Sequence, residues 1–425
     1  MAESGQHEIR CLTTTCTRPI PVGRVEFFDG TLRTNTEFES ARVFDTTLRD
    51  GEQAPRTSFS YDEKRAIAET LDRMGTHVIE AGFPVNSDAE FEAVSDIADS
   101  TTATTCGLAR VVDKDVEAAI DAGVEMVHVF ASTSDVQIED SMHATREEVL
   151  ARSVEAVERV KEAGVIAMFS PMDATRTDDE YLKEVVQAVS EVGVDWINIP
   201  DTCGVATPTR FGDLVEMVAD NTDARIDVHT HDDFGMASAN AVAGFEAGAD
   251  QAQVSINGIG ERAGNAAYEE VVMTVESVYG VDTGIDTTHI SEASAMVEEY
   301  SDVPVPANKP ITGDNAFAHE SGIHAAGVIE NSDTFEPGVM TPEMVGAERE
   351  FVMGKHTGTH SVRKRLEDRG FTPTDTEVRK VTRRVKDYGA EKNRVTVADL
   401  ERFAREAGVA RDEKDAARDD KEVRA

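Results

Sequence analysis

The sequence predicts an α/β protein built on a (β/α)8 TIM barrel that is followed by small, mainly helical accessory subdomains. Short runs rich in β-branched residues alternate with amphipathic helical stretches, the runs number eight, and the helices often end on a glycine just before the next run. A doubly wound open sheet is the alternative, but no Gly-x-Gly-x-x-Gly follows the first run. The predicted strands are Ala41–Asp45, His77–Gly82, Thr104–Leu108, Met126–Ala131, Val165–Ser170, Trp196–Ile199, Arg225–His229 and Gln253–Ile256.

The helices between the strands are predicted from amphipathic periodicity and from capping residues. Ser60, Thr145 and Thr177 each stand where such a stretch begins. The predicted helices include Ser60–Met74, Asp88–Ser100, Arg146–Ala163, Thr177–Val192, Thr209–Asn221 and Ala237–Ala247.

The organisation along the chain is predicted from where this alternation ends. After residue 282 the pattern changes to short helical pieces interrupted by prolines, which cannot continue a barrel. The predicted segments are an N-terminal leader (1–38), the catalytic barrel (39–282), a linker with a first accessory subdomain (283–345), a helical second accessory subdomain (346–410) and a charged tail (411–425).

The charge of the chain limits its partners. It carries 82 acidic against 42 basic residues, a formal net charge of −40. Nucleic acid is not expected as a partner, because phosphate contact needs a basic face. The acidic residues are spread along the chain, and such a surface stays soluble where concentrated salt screens self-repulsion. We predict a halophilic protein; the alternative is an ordinary acidic one.

The location of the protein is predicted from the absence of export and membrane signals. No run approaches the roughly 20 apolar residues that a membrane helix needs. The polar N-terminus lacks the apolar region of a signal peptide. Cys11, Cys16, Cys106 and Cys203 have neither disulfide-scaffold nor zinc-ligand spacing, as expected in a reducing compartment. We expect a cytoplasmic protein that does not bind membranes.

A candidate metal site is the strongest functional signal. His229 and His231 end a predicted strand at spacing i, i+2, so both imidazoles project from one face. Asp50 follows the first strand, and strand ends meet at one face of a barrel. One carboxylate and two imidazoles suit a divalent ion with open positions for a 2-oxo acid. Arg49 could neutralise developing negative charge, form an ion pair with Glu80 or Asp50, or do both. The alternative for the histidines is a pair of exposed loop residues.

The loop Asn257–Asn265 after the last predicted strand is a candidate binding site for an anionic ligand. Gly258 and Gly260 allow close backbone approach, and Arg262 adds a positive charge. A tight turn explains the glycines equally well.

Together these residues resemble the acetyl-CoA-dependent family that condenses 2-oxo acids, namely the isopropylmalate, citramalate and homocitrate synthases, which are related to HMG-CoA lyase. The resemblance runs from about Val43 to about Arg365. Gly354–Gly358 resembles the family's element after the barrel, although Thr359 stands where an arginine is common. The segments that carry the resemblance are Phe44–Gln53, Ile79–Pro84, His229–Gly235, Asn257–Asn265 and His319–His324.

The resemblance implies a reaction and a set of roles. Acetyl-CoA loses a methyl proton, the enolate attacks the 2-oxo carbon, and the thioester is hydrolysed. A homodimer is implied, in which the post-barrel region covers the partner's active site. The implied residues are Asp50, His229, His231 and Asn265 for a divalent metal (Mn²⁺, Zn²⁺ or Mg²⁺), Arg49, Glu80 and His324 for catalysis, Gln53 and Thr202 for substrate, and Gly258, Gly260 and Arg262 for acetyl-CoA.

The resemblance also bears on the identity of the 2-oxo acid. His128, Ser170 and Asn198 match the trio that lines the side-chain pocket of isopropylmalate synthases, which favours 2-oxoisovalerate and a role in leucine biosynthesis. Residues 133–140 contain no basic residue for the second carboxylate of a dicarboxylic substrate, which weighs against homocitrate synthesis. Only about 60 residues follow Arg365, so we expect no leucine-binding regulatory domain. Citramalate synthesis from pyruvate is therefore the first alternative.

Met172 stands where the family usually has a glutamate that assists the acid/base histidine. Asp173 or Glu320 could substitute, or the chain could be a metabolite-binding paralogue without activity. An HMG-CoA-lyase-type cleavage is the remaining alternative, but the loop after Asn257 lacks the cysteine that this relative places there.

Overall fold

The computed structural model describes residues 25–28, 31–34, 38–318, 340–349, 352–392 and 395–411. Its centre is a closed barrel of eight parallel strands, which confirms the predicted fold and excludes the open sheet. The barrel strands are β3 (Arg42–Asp45), β4 (Val78–Gly82), β5 (Thr104–Arg110), β6 (Met126–Ser132), β7 (Ile166–Met172), β8 (Trp196–Asp201), β9 (Arg225–Thr230) and β10 (Gln251–Val254). Neighbours follow chain order, and β10 closes the barrel by pairing with both β9 and β3.

All eight predicted strands exist, with shifted ends. The prediction stopped two strands before Pro171 and Pro200, which lack an N–H. The structure continues each strand by two residues, because β6 still pairs with the end of β7 and β9 with the end of β8. The last strand was predicted two residues too late, since Ile256–Gly258 form a 3-10 turn instead.

Helices connect the barrel strands, and further helices follow the last strand. The helices are α1 (Tyr61–Met74), α2 (Asp88–Ser100), α3 (Asp113–Asp121), the single turn α4 (Asp135–Gln137), α5 (Arg146–Glu162), α6 (Asp179–Glu191), α7 (Pro208–Ala219), α8 (Ala237–Glu246), α9 (Tyr268–Met273), α10 (Ile290–Ser301), α11 (Thr359–Asp368), α12 (Asp375–Glu391) and α13 (Val397–Glu406). None of the helices in this described part of the chain is long and apolar enough to cross a membrane.

The capping predictions hold at two helices and fail at one. Ser60 and Thr145 each form a capping box with the glutamate three residues later. Thr177 does not cap α6, because its hydroxyl is bonded to Thr133 and to the backbone instead. Asp178 takes that place, and its carboxylate accepts a backbone N–H of the first turn.

Two separate apolar cores lie outside the barrel interior. The larger fills the space between strands and helices and includes Ile290, Ala293 and Val297 of α10, which packs against α1. The smaller core, from Met353 to Val409, is formed by α11, α12 and α13 with the short strands β11 (Phe371–Thr372) and β12 (Ala410–Arg411). Within the predicted leader, β1 (Val25–Phe28) and β2 (Thr31–Thr34) form an antiparallel pair.

Candidate active site

The barrel interior is unusually polar. Phe44, Val78, Cys106, Met126, Met168 and Trp196 form a small apolar cluster on the inward face. Other inward positions carry polar side chains that are almost completely buried and that could bind substrate or metal, among them Glu80, His128, Ser170, Asn198, Asp227, His229 and Gln253. Burying such groups is costly unless they are hydrogen-bonded, and they form a continuous network.

The two histidines lie next to each other at the end of β9, with their rings in an edge-to-face arrangement. The Nε2 atoms of His229 and His231 lie 3.1 Å apart, and Asp50 Oδ2 lies 3.8 Å from His229 Nε2. One ligand atom from each of these three residues lies within 4.8 Å of the others. Neither imidazole is an exposed loop group, because both residues are only 6 % exposed.

Asn265 joins this cluster through the glycine-rich loop. Its Nδ2 donates to Asp50 Oδ1 at 3.2 Å, and its backbone forms a bridge with His231. A Cβ atom at Gly260 would lie 2.6 Å from the Asn265 side chain, so glycine is needed for this approach. The loop glycines therefore place an amide beside the imidazoles.

The cluster fits a divalent cation. Two ligand atoms that each lie about 2.1 Å from an ion, at right angles to each other, are about 3 Å apart. The Nε2 atoms of His229 and His231 are separated by 3.1 Å, which is close to that distance. A buried polar atom here, Asn265 Oδ1, has no hydrogen-bond partner among the described residues. An amide oxygen, a carboxylate and two imidazoles are all donors that such ions accept.

The protonation of the cluster also suits a cation. Burial lowers the pKa of His229 to about 3, and burial likewise lowers the pKa of His231, so both imidazoles are neutral. Burial opposes ionisation of Asp50, but the positive charge of Arg49 outweighs it and lowers the pKa of its carboxyl. Neutral imidazole and carboxylate are the ligand forms of these side chains.

Arg49 connects Asp50 to Glu80. Its Nε donates to Glu80 Oε2 at 2.6 Å, and its Nη1 forms an ion pair with Asp50. Burial would raise the pKa of Glu80, but Arg49 and hydrogen bonds from His128 and Thr46 hold it at about 2. Both ion pairs considered for Arg49 are therefore present.

The three residues expected to line a side-chain pocket lie next to each other. His128 Nδ1 is 2.8 Å from Glu80 Oε1, and its Nε2 is 2.6 Å from Ser170 Oγ. Ser170 Oγ donates to Asn198 Oδ1 at 2.7 Å. The trio is thus one hydrogen-bonded row beside Glu80.

Other expected residues lie at the mouth of the barrel. Thr202 is partly buried and its hydroxyl accepts the backbone N–H of Asp173, whereas Gln53 is exposed on the turn after Asp50. Arg262 donates to both carboxylate oxygens of Asp233. The guanidinium of Arg262 is therefore already paired with a carboxylate, which the sequence did not indicate.

Four arginines on or next to the strand ends each bind a carboxylate. Besides Arg49 and Arg262, Arg110 pairs with Asp115 and Arg176 with Asp173. Asp173 is fully buried and also accepts from Ser134. Its carboxylate is therefore held by Arg176 and Ser134 in this structure. Met172 itself is half-buried at the end of β7. His324 and Glu320 lie outside the described residues.

Sequence reasoning missed three polar residues at this site. Asp227 and Gln253 are buried inside the barrel, and Lys309 forms ion pairs with Glu269 and Glu270 next to the glycine-rich loop. The available signal was the alternation of Gln251 and Gln253 with apolar residues, which puts amides on the inward face of a core strand.

The fold and the site define an eight-stranded barrel enzyme with a candidate divalent-cation centre at the C-terminal ends of its strands. Residues 40–297 match the model of the family described as HMGL-like, and residues 311–393 match the homocitrate synthase post-HMGL domain-like model. Because the first match covers more than half of the chain, the protein belongs to the HMGL-like family.

Similar proteins include synthases of two kinds. A probable 2-isopropylmalate synthase of Archaeoglobus fulgidus is 50 % identical over 84 % of this chain and 72 % of its own length. The 2-isopropylmalate synthase of Sulfolobus acidocaldarius is 46 % identical over 86 % of this chain and 95 % of its own. A putative (R)-citramalate synthase of Methanopyrus kandleri is 46 % identical over 86 % of this chain and 72 % of its own.

Solved structures support the fold. The match to the HMG-CoA lyase of Bacillus subtilis covers 65 % of this chain and 97 % of the lyase chain, with a TM-score of 0.56 and 23 % sequence identity. The match to the hydroxymethylglutaryl-CoA lyase of Pseudomonas aeruginosa covers 63 % of this chain and 94 % of the lyase chain, with a TM-score of 0.55 and 24 % sequence identity. Likeness at this level of identity shows the shared barrel alone.

Proposed function

We propose that this protein is a 2-isopropylmalate synthase, which condenses acetyl-CoA with 2-oxoisovalerate and hydrolyses the thioester in leucine biosynthesis. The observation that carries the proposal is the 50 % identity over 84 % of the chain with a probable 2-isopropylmalate synthase. The buried cluster of one carboxylate and two imidazoles supports it, because that chemistry needs a polarised 2-oxo acid.

Asp50, His229, His231 and Asn265 would hold a divalent cation, either Mn²⁺, Zn²⁺ or Mg²⁺. When bound, such an ion polarises the carbonyl group of a chelated 2-oxo acid. Arg49 lies beside this position and stabilises negative charge as it develops on oxygen. Glu80 acts on Arg49 by fixing the guanidinium through a 2.6 Å hydrogen bond.

Two observations favour a 2-oxo acid with an apolar side chain. His128, Ser170 and Asn198 satisfy each other in one row. The strand-end arginines are bound by carboxylates of the chain itself, so a second substrate carboxylate would have to compete for them. Thr202 would contact the carboxylate that all 2-oxo acids share, and Gln53 at the mouth would contact substrate from above.

Acetyl-CoA has a candidate cavity beside the cation cluster. A space of about 550 Å³ lies between the loop with Gly258 and Gly260 and the segment 303–310. Arg262 borders this cavity, and its guanidinium is already paired with Asp233. We assign acid/base chemistry to His324. We further propose a cytoplasmic homodimer that works at high salt.

Release of free coenzyme A thiol tests the proposed function. Purified protein in concentrated KCl with Mn²⁺ and acetyl-CoA should release thiol with 2-oxoisovalerate faster than with pyruvate or 2-oxoglutarate. Preference for pyruvate would support citramalate synthesis, which the Methanopyrus kandleri relative makes the second candidate. Tight binding of 2-oxoisovalerate without thiol release would indicate an inactive paralogue and would contradict the proposal.

A further inference from the structure

Two buried polar residues of the barrel interior have no role in the site as described so far. Asp227 on β9 and Gln253 on β10 are both fully buried, and they lie on the two strands that pair at the closure of the barrel. A buried carboxyl and a buried amide are costly unless their hydrogen bonds contribute something that apolar side chains could not.

Gln253 lies between Asp227 and His229. Its Nε2 is 2.7 Å from Asp227 Oδ2 and 3.7 Å from the sulfur of Met168. Both of these atoms are acceptors, so this end of the amide is the N–H₂ group. The other end is therefore the oxygen, and it lies 2.9 Å from His229 Nδ1.

This orientation fixes the tautomer of His229. An oxygen facing Nδ1 requires the hydrogen on Nδ1, which leaves the lone pair on Nε2, the atom that faces His231 and Asp50. If the amide were reversed, its N–H₂ group would face Nδ1 and would move the hydrogen to Nε2, where it would block a cation. The orientation of one amide thus decides whether His229 can be a ligand.

The same carboxylate oxygen also holds the substrate row. Asn198 Nδ2 donates to Asp227 Oδ2 at 2.6 Å, and Asn198 in turn accepts from Ser170. Two amide nitrogens, Nδ2 of Asn198 and Nε2 of Gln253, thus converge on one carboxylate oxygen of Asp227.

We propose that Gln253 and Asp227 are positioning residues of the cation centre. Gln253 fixes the tautomer and the ring orientation of His229, and Asp227 fixes the amide of Gln253 while holding Asn198 through the same oxygen. This inference rests on the proposed function, since it assumes that His229 is a metal ligand. It adds a physical link between the cation centre and the side-chain pocket.

Mn²⁺ titration of chelator-stripped protein by calorimetry tests Gln253. Gln253→Met keeps the size of the side chain and removes the acceptor, so we expect Mn²⁺ affinity to fall by about 10- to 100-fold. Gln253→Glu keeps an acceptor for Nδ1 and should stay within about threefold of the unmodified chain. Asn240→Leu, which removes an equally buried amide in α8, is the matched control and should bind like the unmodified chain.

A double-mutant cycle tests Asp227. Asp227→Asn can present N–H₂ to Gln253 and reverse it, so it should weaken Mn²⁺ binding in the unmodified background. In the Gln253→Glu background, Asp227→Asn should leave Mn²⁺ affinity almost unchanged, because a carboxylate has no N–H₂ end to reverse. An equal loss of Mn²⁺ affinity in both backgrounds would overturn the role of Asp227.

The outcomes separate this inference from the proposed function. A folded Gln253→Met protein that binds Mn²⁺ like the unmodified chain would overturn the inference and leave the synthase proposal standing. Absence of Mn²⁺ binding by the unmodified chain would overturn both.

Discussion

At the scale of single residues, the site depends on how burial sets the charge of each side chain. The same interior keeps Glu80 ionised and His229 neutral, because Arg49 offsets the burial of Glu80 whereas Asp50 does not offset the burial of His229. The balance between burial and the neighbouring charges therefore decides which buried group carries charge.

Replacing His229 tests the proposed cation centre directly. His229→Ala removes one of three clustered ligand atoms, so metal affinity should fall at least about tenfold. Calorimetric titration with Mn²⁺ measures this. His289→Ala, which removes a histidine at the start of α10 that pairs with Glu292, should leave the affinity unchanged. Unchanged affinity in His229→Ala would show that the ion, if any, binds elsewhere.

Asp45 gives a prediction for the pH dependence of stability. Burial raises the pKa of its carboxyl to about 7, although two hydrogen bonds from Thr47 favour the ionised form. The folded state therefore holds this proton more tightly than the unfolded state. The contribution of Asp45 is fully present below about pH 4 and is lost as pH rises through about 7.

Asp45→Asn should remove this part of the pH dependence. The free energy of unfolding of the variant should fall less between pH 4 and pH 7 than that of the unmodified chain, by at most a few kcal/mol. Urea unfolding at several pH values measures it. Asp121→Asn, at the exposed end of α3, is the control and should follow the unmodified chain. Parallel curves for both variants would contradict the prediction.

At the scale of elements, the glycine-rich loop is shaped by close backbone contacts. Gly264 has φ +98°, and a Cβ atom there would lie 1.9 Å from the carbonyl oxygen of Gly258. The next residue is Asn265, so this contact determines where the amide of the cation cluster lies. The glycines therefore form a tight turn, and the same turn places Asn265 in the cation cluster.

Gly264→Ala should therefore destabilise the protein and disturb the site. Gly123 is the matched control, since it has φ +78° but nothing within 4 Å of its added Cβ atom. Gly123→Ala should cost about 1 kcal/mol for backbone strain alone, and Gly264→Ala should cost about 1–3 kcal/mol more. Urea unfolding compares them, and Mn²⁺ titration should show weaker binding for Gly264→Ala only. Equal stabilities would indicate that the loop relaxes.

The elements were largely predictable, and parts of the site were not. The strands were found because β-branched runs are bounded by left-handed glycines such as Gly75, Gly164 and Gly193, which the structure confirms. Asp50, His229 and His231 were found because strand ends converge. Asp227 and Gln253 were missed, because a sequence does not show that a polar residue of a core strand has a buried partner on the neighbouring strand. The pairing of Arg262 with Asp233 was missed because it joins two loops that are 29 residues apart in the sequence.

At the scale of the whole molecule, acidic charge is unevenly distributed. Residues 352–411 carry 15 basic and 9 acidic side chains, although the chain as a whole has a net charge of −40. The excess negative charge therefore belongs to the remainder of the chain, which includes the barrel. Self-repulsion there should be relieved by salt.

Salt should therefore stabilise the protein. The melting temperature should rise steadily from low to multimolar KCl, because screening weakens repulsion within the folded state. Differential scanning calorimetry measures it, and sucrose at matched osmolarity separates screening from general preferential exclusion. A melting temperature that responds equally to sucrose and KCl would mean that the negative charge is not what limits stability.

The closure of the barrel by β10 between β3 and β9 has a thermodynamic consequence. Asp50 follows the first barrel strand, His229 lies on the seventh, and Asn265 follows the eighth. An ion held by them would cross-link the beginning and the end of a segment of more than two hundred residues. Occupancy of the centre would thus be linked to the integrity of the entire ring, and removing the ion would loosen the junction where the two ends of that segment meet.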